Sequence, residues 1–280
     1  MSPLWRDQLG VVLYPDHLVL VRVKTGMRRR LQHTEVIPTQ PASPEAPPWQ
    51  AAVDALKPLA ASDVLGRADV TLVLSSAFVR YVLVPRSDAL ASDADQVAFA
   101  RHRFGTIHGK DIEDWLIRLA PAAARQARLA CAIERPLVEA LDDAMIPLGP
   151  RYASLQPHLV TSYNCWRKEI GKRSVWFVVV ESGVMSVALL NEGEFATLRT
   201  MRVGTRWAKE LPSVLAREEF LNEGPAASNE VLVFGPLDQR VPEALAGKWK
   251  FRSLQPNAIS DMTLAAADAP FAVLQDGVPA

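Results

Sequence analysis

Cysteine is scarce: only Cys131 and Cys165 occur in 280 residues. That excludes a disulfide framework and a four-cysteine zinc site, and it fits a reducing compartment. Net charge is missing as well, because 31 Lys plus Arg balance 31 Asp plus Glu. No global field draws the chain onto nucleic acid or an anionic membrane, so any charged contact has to be local. The longest strictly apolar run, Val175 to Val180, is about a third of what a membrane-spanning helix needs. Met1 to Asp7 carry no apolar stretch behind a basic end, so the expected location is cytoplasmic, with membrane attachment supplied by a partner. His17, His33, His102, His108 and His158 have no ligand-like spacing and read as surface or helix-cap residues. There is no Gly-x-Gly-x-x-Gly and no Gly-x-Ser-x-Gly, and Gly171-Lys172-Arg173-Ser174 lacks the upstream glycine of a phosphate loop. Asp142-Asp143 and Glu218-Glu219 are adjacent pairs whose members point to different helix faces, so neither is a catalytic carboxylate pair.

What is present is a globular mixture, 49% apolar and 22% charged. Leu9 to Tyr14, His17 to Lys24 and Arg29 to Ile37 read as a meander of three short strands. Val19, Val21 and Val23 fall on one face of the second strand, opposite Arg22 and Lys24. Five prolines between Pro38 and Pro48 mark an extended surface link. A helix from about Trp49 to Ala61 and a strand from Asp69 to Leu74 follow. The same order returns with Ser174 to Glu181, Met185 to Leu190, Glu194 to Met201, a helix from about Thr205 to Asn222, and Val231 to Phe234. A βββαβ unit thus recurs about 165 positions on, without residue identity between the copies.

Between the copies lie a strand over Phe78 to Val84, a helix over Leu90 to Phe104, strands over Ile112 to Leu119 and Arg128 to Ile133, and a helix opened by Pro136. The helix stripe is taken as Leu90, Ala94, Val97, Ala98 and Phe104. A strand near Arg151 to Leu155 closes what reads as a split βαβ subdomain, and a helix over Pro157 to Ile170 leads onward. With a last helix near Asp268 to Gln275, this layout is that of the actin and sugar-kinase superfamily. The expected fold is α/β, an actin-like (RNase H-like) two-lobed ATPase fold with a small inserted α/β subdomain in the first lobe. The lobes are expected at 1–170, with the insertion at about 77–148, and at 171–257. Residues 258–280 are expected to form a C-terminal helix returning to the first lobe.

Leu74-Ser-Ser-Ala-Phe-Val-Arg-Tyr-Val-Leu-Val-Pro85, the helix carrying Ala98-Phe99-Ala100-Arg101, Ser154-Leu-Gln-Pro-His-Leu159 and Tyr163-Asn-Cys-Trp-Arg167 resemble a known family. They look like the cytoplasmic half of GspL, the type II secretion inner-membrane platform protein, and like the PilM and MshI-type proteins of type IV pilus assembly. The resemblance implies a cytoplasmic scaffold that holds the tail of a PilN-like inner-membrane protein and contacts the assembly ATPase, with no nucleic acid and with the membrane reached only through a partner. The alternatives are an active actin-fold ATPase or kinase, and the soluble portion of a GspL-like protein.

The same resemblance locates a degenerate nucleotide cleft. Where ATP-binding relatives read Gly-Ile-Asp-Ile-Gly, this chain has Gly10-Val11-Val12-Leu13-Tyr14, placing a tyrosine where backbone should meet phosphate. Glu181-Ser182-Gly183 stands for Asp-Ile-Gly; Glu181 reads as an acidic turn residue, with approach to a metal as the other reading. Phe234-Gly235-Pro236-Leu237 stands for the adenosine turn, its proline removing an N–H donor. Gly10, Tyr14, Glu181, Gly183 and Gly235 are therefore remnants, no cofactor is expected, and ATP with magnesium is the alternative. Arg22, Lys24, Arg28, Arg29 and Arg30 gather at one hairpin tip; they read as a solvated edge kept from pairing by its charge, with an acidic partner or lipid headgroups as the other reading.

Overall fold

The computed structural model describes residues 7–24, 30–62, 65, 68–120, 127–222, 228–235 and 246–254. In chain order they form β1 (Gln8–Leu13), β2 (His17–Lys24), β3 (Arg30–Pro38), α1 (Gln50–Ala61), β4 (Asp69–Leu74), β5 (Val79–Val84), α2 (Asp93–His108), β6 (Trp115–Leu119) and β7 (Arg128–Glu134). Then come α3 (Arg135–Met145), β8 (Tyr152–Pro157), α4 (His158–Ile170), β9 (Val175–Glu181), β10 (Val184–Asn191), β11 (Glu194–Arg202), α5 (Trp207–Leu221), β12 (Glu230–Phe234) and β13 (Lys250–Ser253). The chain divides into two compact units. One holds residues up to Phe78 together with Pro136–Cys165, and the other holds Val79–Arg135 together with Trp166–Leu254.

In the first unit five strands lie in the order β3-β2-β1-β4-β8. β1 is antiparallel to β2 and parallel to β4, and β8 is parallel to β4. A central strand flanked on both sides and covered on both faces has no position for a polar side chain, which is why β1 reads Leu-Gly-Val-Val-Leu and is buried throughout that stretch. One face of the sheet packs Val12, Tyr14, Val19, Val21, Val23 and Val73 together, with Cys165 of α4 against them.

The second unit repeats this arrangement as β11-β10-β9-β12-β13, again with an antiparallel meander followed by parallel strands. All of β9 is buried. Trp176, Val178, Val180, Met185, Val187 and Val231 of its sheet face Trp207, Leu211 and Leu215 of α5. A third sheet, β5-β7-β6, is antiparallel throughout and packs on α2.

Several expectations need correction. β8 does not close an inserted split βαβ unit; it pairs with β4 as the fifth strand of the first sheet. Its polar sequence, Tyr-Ala-Ser-Leu-Gln-Pro, hides that membership because it is an edge strand. The inserted residues 79–135 belong with the second sheet and not with the first, because β5 lies alongside β11. Helix α3, from Pro136 onward, falls in the first unit. Helix α2 begins at Asp93 because Ser92 caps it: the Ser92 hydroxyl accepts from the Asp95 amide, and the Asp95 carboxylate accepts from the Ser92 amide. Its buried stripe runs through Val97, Ala100 and Phe104, while Ala94 and Ala98 are exposed. Arg101, which breaks the expected stripe, donates to the carbonyl of Ile112 at 3.3 Å. Strand β13 was not anticipated, since Lys-Phe-Arg-Ser carries no apolar run. The C-terminal helix expected over 258–280, together with Arg28, Arg29, Pro236 and Leu237, lies outside the described residues.

Cys131 sits in the middle of β7 and is buried. Burial pushes its thiol up to about 12, because a thiolate there would lose its hydration. In a Cys165→Ser variant, a disulfide thiol reagent at pH 8 is therefore expected to find no reactive thiol until urea is added; rapid native labelling would contradict that placement. The sign for stability follows. A folded pKa raised from 9.0 to about 12 contributes stability that is complete below pH 9 and is lost as pH rises through that interval.

Candidate functional site

Open α/β sheets bind ligands outside the carboxyl ends of their parallel strands. In the first unit these ends are Leu13 of β1, Leu74 of β4 and Pro157 of β8. The residues that follow them are Tyr14, Ser75 with Ser76, and His158, all buried. The Tyr14 ring stacks on His17 with centroids 4.6 Å apart and planes 21° from parallel. Its hydroxyl lies 3.3 Å from His158 Nε2, and His158 Nδ1 lies 3.5 Å from the Ser162 hydroxyl. His17 in turn holds Asp16 at 2.8 Å through Nδ1. A hydrogen-bonded chain thus links the end of β1 to the first turn of α4.

Backbone donors at this strand end are already engaged. The Tyr14 amide donates to the His17 carbonyl at 3.0 Å, the Ser75 amide to the Leu13 carbonyl at 3.0 Å, and the Phe78 amide to the Ser75 carbonyl at 2.9 Å. The Ala77 amide donates to the Ser75 hydroxyl at 3.1 Å. A phosphate group held at such an end needs converging free amides and bare glycine backbone. Here a tyrosine ring and amides bonded within the unit stand in that place. Gly10 is not at the strand end at all: it lies inside β1, opposite Val21 and Thr71.

In the second unit the corresponding ends are Glu181 of β9, Phe234 of β12 and Ser253 of β13. The structure brings Glu181, Gly183 and Gly235 to this one end. Glu181 is buried, 5% exposed, and closes β9 opposite Val184 across the Ser182-Gly183 turn. Gly183 takes φ +72°, a conformation that turns of this length reserve for glycine. Gly235 has a different reason to be glycine. A Cβ there would stand 2.8 Å from the Val180 Cβ and 3.1 Å from the Val180 carbonyl oxygen. Gly235 therefore lets the end of β12 close onto β9, and Gly235→Ala is expected to cost about 1–3 kcal/mol as an overpacking change. A urea melt indistinguishable from the parent would refute that close approach. Beside it, Phe234 packs on Trp166 of α4 at 5.9 Å, and the buried Trp166 indole N–H has no hydrogen-bond partner.

Sequence reasoning read His158 as a surface or helix-cap residue, whereas it is buried, and it gave Ser162, Ser75 and Ser76 no role. A buried histidine in the first turn of a helix has no one-dimensional signature, because its partner Tyr14 lies 144 positions away. No set of three or more His, Cys, Asp or Glu residues poised to hold a metal ion occurs among the described residues.

No family model matches the chain, and no curated protein matches it by sequence. Solved structures do. A chain of the PilM–PilN type IV pilus biogenesis complex superposes with a TM-score of 0.72 at 12% identity, over 99% of this chain and 100% of that one. The fold is actin-like. The cytoplasmic domain of EpsL, an inner-membrane component of the type II secretion system of Vibrio cholerae, covers 97% of this chain and 94% of its own at 12% identity, with a TM-score of 0.59. A Bacteroides thetaiotaomicron protein described as having an actin-like ATPase fold and unknown function covers 85% and 87% at 11% identity, with a TM-score of 0.57. The paired sheets of this actin-like chain, each a meander followed by parallel strands, are the repeated unit foreseen from its sequence pattern.

Proposed function

We propose that this actin-like chain is a non-catalytic scaffold of a bacterial type IV pilus or type II secretion assembly platform, working by binding. Its ligand is the cytoplasmic tail of a PilN-like inner-membrane protein, with the assembly ATPase as a further contact. The observation that carries this reading is the full-length correspondence to a chain of the PilM–PilN complex, end to end in both proteins. The EpsL likeness supports the same setting, because it too comes from an inner-membrane assembly system. No described helix is long and apolar enough to cross a membrane, and in this reading the chain works in the cytoplasm and reaches the membrane through the tail it binds.

The pseudo-ATPase part of the proposal rests on the first unit. The buried Tyr14 ring and the engaged amides of Tyr14, Ser75 and Phe78 do not fit a phosphate chain. Glu181, a buried carboxylate at a strand end, favours the alternative of an active actin-fold ATPase or kinase. One pair of measurements separates the readings. Truncating the tail of the PilN-like protein is expected to release this chain from the membrane pellet, and retention would count against the scaffold. Thermal unfolding with millimolar ATP and magnesium is expected to match unfolding without them. A ligand at a hundred times its dissociation constant adds about 2.7 kcal/mol, a rise on the order of 5–10 °C, and that result would establish nucleotide binding and make Glu181 the residue to replace.

A further inference from the structure

Strand β3 ends the first sheet: no described strand pairs with its outer edge. Its counterpart in the second unit, β11, has β5 alongside. His33, Glu35, Val36 and Pro38 are all exposed, Val36 at 56% although it is a large apolar side chain. The Thr34 hydroxyl, by contrast, is buried and has no hydrogen-bond partner.

The backbone phase of this edge can be read from one bond. The Thr39 amide donates to the Asp16 carbonyl at 3.0 Å. Antiparallel ladders alternate, so Ile37, Glu35 and His33 direct their backbone groups toward Leu18, Leu20 and Arg22 of β2. Thr34, Val36 and Pro38 then present theirs outward. The Tyr14 amide bond to the His17 carbonyl gives the opposite phase on the other side of β2, as it must. An edge of this kind is a template for another strand unless something blunts it. Pro38 blunts one end, and a bulge between Arg22 and Val23 interrupts the other.

We propose that the occupant of this edge is a second copy of the chain, with β3 pairing β3 antiparallel about a two-fold axis at Thr34. In that register Thr34 exchanges both backbone bonds with Thr34 of the partner subunit. The two partnerless hydroxyls then come within reach of each other across the pair. His33 faces Glu35 of the partner subunit, and Glu35 faces the partner's His33. These are close, non-hydrogen-bonded positions, so each His33 imidazole, 3.5 Å from Glu35 of its own chain, meets a second Glu35 carboxylate across the pair. Arg22 lies opposite His33 on β2 and makes that end of the edge the basic one. A two-fold axis at Val36 would set Glu35 against the apolar Ile37 and bring Pro38, which has no N–H, against Thr34. Of these two registers, only the one centred on Thr34 sets opposite charges against each other. Because the pairing is isologous and uses the same β3 edge of each copy, the assembly closes at two.

The test is sedimentation equilibrium of the full chain from about 1 to about 200 µM, the range in which a small interface associates. The weight-average mass is expected to rise from 30.8 kDa toward twice that value. Glu35→Lys puts like charge opposite His33 at two places and is expected to weaken association about tenfold. Adding His33→Glu to Glu35→Lys restores opposite charges and is expected to recover dimerisation. Thr34→Pro removes an outward amide without breaking a bond to β2, so it is expected to abolish the dimer while the thermal melt is retained; if that variant fails to fold, the charge-swap series carries the test alone. A monomer throughout the range, or a dimer indifferent to Glu35→Lys, would overturn the proposal.

Discussion

Replacing Trp176 by alanine is expected to lower the unfolding free energy by about 3–5 kcal/mol. Trp176 is wholly buried, at 0% exposure, in the face of the second sheet that α5 covers. Its ring meets Trp249 edge-on, with centroids 6.2 Å apart and planes at 89°. Leu211 and Leu215 of α5 come from a rigid helix and cannot follow the missing ring inward, so a cavity persists and adds to the lost transfer energy. The indole N–H of Trp176 has no hydrogen-bond partner, which gives the prediction a second arm. Trp176→Phe keeps an aromatic body, discards only an unsatisfied donor and is expected to cost less than about 1.5 kcal/mol. Urea melts of both variants check this; equal losses for Ala and Phe would mean that the indole nitrogen matters in a way these contacts do not provide.

Gly193→Ala is expected to be comparably severe, about 3 kcal/mol or more, for two reasons that add. Gly193 takes φ +82° in the turn between β10 and β11, and a Cβ there would lie 2.2 Å from the Gly171 carbonyl oxygen. Neither partner can yield easily. Gly171 follows the last residue of α4 with its amide bonded to the Arg167 carbonyl at 2.9 Å, and the Gly193 amide donates to the Arg173 carbonyl at 3.0 Å. Gly183 is the internal control, because it has φ +72° with nothing within 4 Å of the added Cβ. Gly183→Ala is therefore expected to show the backbone strain alone, about 1–2 kcal/mol. If the two alanine variants melted together, the clash with Gly171 would not be real.

Much of this architecture could be read from one dimension. The apolar run Val175 to Val180 and the alternation of Val19, Val21 and Val23 each report a local fact, namely which faces of a strand are covered. Hence the sequence by itself determined the strands of both meanders, the helices that follow them and the recurrence of the unit. Capping chemistry that was present but not used, Ser92 with Asp95, would have set the start of α2.

Only the tertiary structure decided what depends on partners far along the chain. Strand β8 is polar because it is an edge, and its neighbour β4 lies some eighty positions earlier, as in the Thr71–Ser154 pair. The insertion sides with the second sheet because β5 lies along β11, a contact that no periodicity encodes. Gly10, Gly183 and Gly235 look alike as letters, yet one lies inside a strand, one sits in a left-handed turn, and one admits a neighbouring backbone. His158 looked like a cap and is a buried link to Tyr14. The physical reason is the same each time: periodicity records whether a side chain is covered, whereas the identity of what covers it is set by chain crossings that bring distant residues together.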